Sequence, residues 1–202
     1  MKKTLSFIFV IILFSQLCNA QASGAKSDIA AKNEFYDTEF KWRILVPPGF
    51  DTVSSVAYAE VQKIGVDEIT YNKTKITTSR ICAYTNHDFD YFDAQKQTFD
   101  PKTDGSFFLH CKTNDNNTYK RYRGLLGTDL LIDTSVSNEI IDGLTFRKFK
   151  LQITFTDKGT MDIYEYSRLF DTEVFTFGVS YMNEAKGDLI LDAWRNSKFE
   201  KN

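Results

Sequence analysis

The chain has 202 residues, 42% apolar, 26% charged and 15% aromatic, with 10 glycines, 3 prolines and a formal net charge of −2. That composition excludes disorder, collagen and low-complexity repeats, and a chain this long buries a sizeable core without staples. With 25 basic residues against 27 acidic ones, it lacks the broad positive charge of generic nucleic-acid binding, so no nucleic-acid partner is expected.

Residues 1–20 read as a secretory signal peptide. Lys2 and Lys3 precede the apolar run Leu5–Phe14, and Cys18-Asn19-Ala20 offers small residues around a cleavage point. The run is short for a bilayer span, which takes about 20 apolar residues. Its removal with both lysines would carry the charge from −2 to −4. Lipid attachment at Cys18 is the rival reading, disfavoured by the bulky Leu17 before it. The expectation is a periplasmic or secreted protein with no membrane span after signal removal. Residues 21–33, small and polar, read as a flexible lead, and 34–202 as a single domain.

Phe40–Val46 reads as a strand stopped by Pro47-Pro48-Gly49, since proline cannot donate to a ladder and glycine permits the turn. Asp51–Asn72 is ambiguous: a short helix or loop, then a strand over Val66–Tyr71. Lys75–Tyr84 reads as a strand. Asp88 is a good N-cap, and Phe89, Phe92 and Phe99 then suggest a helix over Asp88–Phe99. Ser106–Cys111 is strand-like, and within that region Phe107–Lys112 reads as a short strand or the start of a helix. Asn114–Asn117 reads as a loop, and Thr118–Leu126 as weakly helical with Tyr119, Tyr122 and Leu126 on one side. The last third is a four-stranded meander. Val136–Ile141 meets the hairpin signal Asp142-Gly143; Leu144–Phe155, Met161–Phe170 and Val174–Met182 follow with alternating apolar residues. Asn183 then caps an amphipathic helix over Glu184–Asn196 with the stripe Leu189, Ile190, Ala193 and Trp194. The fold class is α+β, an antiparallel sheet flanked by helices.

Chemistry-bearing residues are sparse. Cys82 and Cys111 are either bridged or two buried thiols, for cysteine behaves as a small hydrophobe. His87 and His110 fit no metal-binding spacing and read as local hydrogen-bonding groups. In the run His87–Asp93, Asp88, Asp90 and Asp93 offer hard oxygens, as does the Asn114–Asn117 stretch, but neither has the glycine and distant glutamate of an EF-hand loop, so both read as solvated turns. Lys120, Arg121 and Arg123 beside Tyr119 and Tyr122 are a small basic cluster, read as solvation rather than a strand- or glycan-binding patch. Tyr164, Glu165 and Tyr166 suggest an exposed tyrosine-bearing face. The sequons at Asn72 and Asn116 matter only in a eukaryotic secretory pathway. Nucleophile-elbow, phosphate-loop, dinucleotide and zinc motifs are lacking. No catalytic, cofactor-binding or metal-ligating residues are assigned, and the chain reads as no enzyme.

Ile44-Leu45-Val46-Pro47-Pro48-Gly49-Phe50, an early apolar strand ending in a Pro-Gly-aromatic turn, resembles the PsbP-like family. So do the Ile141–Leu144 hairpin, the long strands after it and the end near Ser197-Lys198-Phe199. The resemblance implies an α/β/α sandwich, and binding or assembly rather than catalysis. It transfers no site residue. The expected function is an exported accessory domain that binds an envelope or secreted protein partner. The alternatives are a small-molecule or lipid-binding module with an aromatic pocket between sheet and helix, and an unrecognised hydrolase.

Overall fold

Alternating sequence builds most of the molecule. The computed structural model describes residues 33–54, 78–86, 89–127, 130–156 and 159–200. In chain order these contain β1 (Glu34–Asp37), β2 (Trp42–Leu45), β3 (Asp51–Thr52), β4 (Thr78–Thr85), β5 (Tyr91–Thr98), α1 (Pro101–Asp104), α2 (Phe107–Leu126), β6 (Leu131–Ile141), β7 (Leu144–Phe155), β8 (Gly159–Phe170), β9 (Glu173–Tyr181), α3 (Glu184–Arg195) and β10 (Lys198–Phe199). A seven-stranded antiparallel sheet runs in the order β3-β4-β5-β9-β8-β7-β6, and a three-stranded sheet in the order β1-β2-β10.

The β6–β9 meander matches the sequence pattern. At its first turn Asp142 and Gly143 have φ of 49° and 80°. Two positive φ values make the type I′ turn whose twist suits a hairpin. Ile141 faces Leu144, and the pairing continues unbroken to Leu131 opposite Thr154.

Alternation gives the large sheet two faces. On one, Phe92, Phe146, Tyr166, Phe175 and Phe177 meet Trp194 of α3 and Trp42 of the small sheet, all fully buried. Trp194 stacks on Phe177 at 4.4 Å and 8°. On the other, Phe149, Leu151, Ile153, Met161 and Ile163 pack under Tyr119, Tyr122 and Leu126 of α2. The result is a helix, sheet, helix sandwich, with the small sheet beside α3. Asn183 caps α3 as expected, accepting from the Lys186 amide at 3.1 Å. The stripe is shifted, however: Gly187, Ile190, Leu191 and Trp194 are buried and Leu189 is exposed.

Two local expectations are corrected and an open one is decided. Residues 91–98 form a strand, because Phe92 and Ala94 are buried on the α3 face while Asp93 and Gln95 take the other, and β9 pairs with all eight positions. Of the two readings of Phe107–Lys112, a short strand or a helix start, the structure has the helix, so Ser106–Cys111 is no strand: the Ser106 hydroxyl accepts from the Leu109 amide at 3.2 Å and starts α2. Asn114–Asn117 lies inside that helix rather than in a loop. Of the ambiguous stretch Asp51–Asn72, residues 55–72 lie outside the described residues, as do the sequon asparagine Asn72, the signal and the lead up to residue 32.

Candidate functional site

α2 is a long helix with a thin apolar stripe. Only His110, Cys111 and Thr118 of its 20 residues are buried, so polar contacts carry much of its attachment. The Thr118 hydroxyl donates to Glu165 Oε1 at 2.8 Å. Arg147 of β7 donates both Nη groups to the Asp115 carboxylate, at 2.9 and 2.5 Å. This fork-to-fork pair is only 13% and 12% exposed, and such bidentate geometry is the strong form of an ion pair. At the helix end Arg123 donates to the Leu130 carbonyl at 2.6 Å and to the Tyr119 hydroxyl at 3.2 Å.

Between α2 and the β6–β7 hairpin runs an open groove of about 340 Å³. Phe108, Lys112 and Tyr119 form its helix wall, and Thr134, Val136 and Phe149 its sheet wall; the Arg147–Asp115 pair lies in its floor. Phe108 is 66% exposed and Val136 54%. Ile140, four residues on along the same face of β6, is 70% exposed. Exposed apolar side chains that meet at one groove, as Phe108 and Val136 do, make it the candidate binding surface among the described residues.

Deeper under α2 the sheet carries a polar row. Gly178 of β9 stands between Asp93 of β5 and Glu165 of β8. A side chain at Gly178 would meet Asp93 Oδ1 at 2.5 Å, so the Asp93 carboxylate occupies the space over that glycine. Gln95 donates to Asp93 at 2.7 Å. Burial pushes the Glu165 carboxyl above its ordinary range, opposed by the Thr118 hydrogen bond and the Arg121 charge.

The reactive groups are muted by their surroundings. Burial raises the Cys111 thiol to about 11 and the Cys82 thiol further still, so both stay protonated at neutral pH. Both are buried and free. Cys82 belongs to the α3-face core, whereas Cys111 lies near Arg147, Asp115 and Glu165 on the α2 face; the sheet separates them. Burial lowers His110, whose ring stands edge-on to Phe99 at 5.6 Å and shares a hydrogen bond with Asn114 at 3.1 Å.

The remaining residues singled out from sequence do not converge. His87 and Asp88 lie outside the described residues. Asp90 accepts from the Met182 and Asn183 amides, each at 3.2 Å, and so ties β5 to the start of α3. Asp93 points under α2. Among the described residues no group of three or more His, Cys, Asp or Glu could hold a metal ion. Of the basic cluster, Arg123 is committed to the end of α2 and Arg121 lies over the Tyr122 ring at 5.7 Å. The tyrosine face is not exposed: Tyr166 is fully buried against Phe177 and Trp194 of α3, and Tyr164, nearly as buried, stacks between Tyr166 and Tyr181. The groove itself is missing from the sequence reading. Its signal was Phe108 beside a cap serine, an aromatic that the helical period turns away from the sheet.

No family model matches the chain, and no curated protein matches it either. Among solved structures it is similar to cyanobacterial PsbP (CyanoP) from Synechocystis sp. PCC 6803, a solution structure, with a TM-score of 0.51 and 10% sequence identity. The match covers 89% of this chain and 98% of that one. Aligned over nearly their whole length at so low an identity, the two share an arrangement of elements and not a set of side chains, and this chain has the PsbP-like fold.

Proposed function

We propose that this chain is an exported, non-catalytic accessory domain that binds a protein partner through the groove between α2 and the β6–β7 hairpin. The observation that carries the reading is the exposure of Phe108 and Val136 on facing walls of one groove, with the exposed Ile140 further along the same face of β6. Interface centres favour aromatic and apolar anchors ringed by polar groups, and Lys112, Asn116 and Thr134 supply such a rim. Export is supported by the pattern of residues 1–20, which puts the partner in the envelope or outside the cell. The non-catalytic reading is supported by the protonated thiols and by His110, whose ring shares its hydrogen bond with the Asn114 amide.

The test is capture of partners from the protein's own compartment after crosslinking, with Phe108→Ser as the control. A partner recovered with the parent and lost with Phe108→Ser is the expected result. Equal recovery with both would remove the groove from the interface. A second reading, a small-molecule or lipid site, rests on the groove's volume, which is within the range of ligand pockets, roughly 300–1,000 Å³. A non-covalent mass retained in a native mass spectrum would favour it.

A further inference from the structure

We propose that the outer edge of β6 takes up an extended segment of another protein as an eighth strand, one with apolar side chains on one face and a lysine or arginine opposite Asp133. The proposal rests on the groove reading above and gives its partner a chemistry. Strand β6 has 11 residues and ends the large sheet; among the described residues it pairs only with β7. Natural proteins blunt such edges with proline, lysine, bulges or short strands. Here the sequence LIDTSVSNEII has no proline and no lysine, and its register has no bulge. The opposite end of the same sheet, β3, is kept to two residues.

The hairpin fixes which groups face outward. The two-residue turn makes Ile141 and Leu144 a hydrogen-bonded pair, so the odd residues of β6 bond to β7. Ile132, Thr134, Val136, Asn138 and Ile140 therefore turn their N–H and C=O groups away from the sheet. The side chains of these same residues are on the α2 face, uncharged, beside the groove. A strand added here would lay its own apolar side chains next to Val136 and Phe108.

The other face supplies the charge selection. Its two carboxylates are Asp133 and Glu139. Glu139 is taken by Lys148 at 2.9 Å and Arg195 at 3.0 Å. Asp133 is exposed and has no ion-pair partner among the described residues. Toward an incoming antiparallel strand Asp133 occupies a non-hydrogen-bonded position, where facing side chains come closest. A cation there is attracted and an anion repelled. A second copy paired about Val136 would set Asp133 against Glu139, which disfavours self-association.

The probe is an acetylated, amidated nine-residue peptide with valine at the odd positions, serine or threonine between them and lysine at the eighth, which falls opposite Asp133 when the peptide lies antiparallel over residues 132–140; its twin carries glutamate instead. Amide exchange of β6 is followed by NMR. The lysine peptide is expected to slow exchange at the five outward amides about tenfold or more, and the glutamate twin to bind about three- to tenfold more weakly. Asp133→Lys is expected to invert that order. Asn138→Pro removes one outward donor without touching the bonds to β7, as edge strands allow, and is expected to lose peptide binding at unchanged melting temperature. Unprotected amides with both peptides, or an order that Asp133→Lys leaves unchanged, would overturn the proposal. So would protected amides in peptide-free protein that sediments as a dimer. Partner capture that survives Asn138→Pro but not Phe108→Ser would sink the added strand and leave the groove standing; the converse would sink the groove alone.

Discussion

At the scale of single residues, Gly187, like Gly178, matters because of what lies where a side chain would be. A Cβ on Gly187 would stand 2.5 Å from the Tyr181 ring. That ring is buried, and its hydroxyl donates to Asp162 at 3.3 Å. Alanine would otherwise favour the helix by about 1 kcal/mol, but overpacking costs about 1–3 kcal/mol. Gly187→Ala is expected to lower the urea midpoint of unfolding, and a raised midpoint would show that Tyr181 yields freely. The two partly buried glutamates have opposite linkage to pH. Glu165 holds its proton more tightly folded than unfolded, so it contributes stability that is complete below the ordinary carboxylate range and lost as pH rises through its raised value. For Glu139 burial raises the carboxyl, but Lys148 and Arg195 outweigh it and hold it below that range. Its contribution is present above the ordinary range and lost as pH falls through the depressed value. Between pH 4 and pH 7, Glu165→Gln is expected to gain stability relative to the parent and Glu139→Gln to lose it, as read by thermal unfolding at both pH values.

At the scale of elements, α2 and α3 hold to the sheet by different means. Among the described residues the α3 face has a core of 21 buried residues, and the α2 face one of five. The balance under α2 is made up by the Arg147–Asp115 pair and the Thr118–Glu165 hydrogen bond. Removing one member of a buried pair leaves the other uncompensated, at a cost of about 3 kcal/mol. Arg147→Ala is expected to raise the amide exchange rates of α2 while those of β8 and β9 stay slow, since weakly packed elements open separately from the core. The two cysteines report the same hierarchy chemically: under native conditions a thiol reagent is expected to label Cys111 before Cys82. Simultaneous labelling would mean that α2 opens only with the whole domain. The sequence made the meander and α3 legible because alternation, a type I′ turn pair and an N-cap asparagine are all local signals. It hid β5 and the first half of α2 for the same reason. Phe89, Phe92 and Phe99 imitate a helical stripe, and only pairing with β9 decides otherwise. Phe107 to Cys111 have the aromatic and cysteine content of a strand, and one serine hydroxyl outweighs it. The groove was illegible because its walls, Phe108 and Val136, are far apart in the chain and meet only when α2 lies across β6 and β7.

At the scale of the whole molecule, the sandwich is asymmetric in composition as well as in packing. Both tryptophans, Trp42 and Trp194, lie in the α3-face core at 6.4 Å from each other. Their indole nitrogens find no hydrogen-bond partner among the described residues, so the rings are held by apolar packing rather than by hydrogen bonds. The α2 face has tyrosines, Tyr119 and Tyr122, but no tryptophan. Intrinsic fluorescence is therefore a one-sided instrument in this protein. It follows the small sheet, α3 and the aromatic stack, and is blind to a helix lifting from the opposite side. A titration in which circular dichroism falls before the emission shifts would record α2 leaving first, and a binding event in the groove would be silent to the dye-free optical assay most often tried.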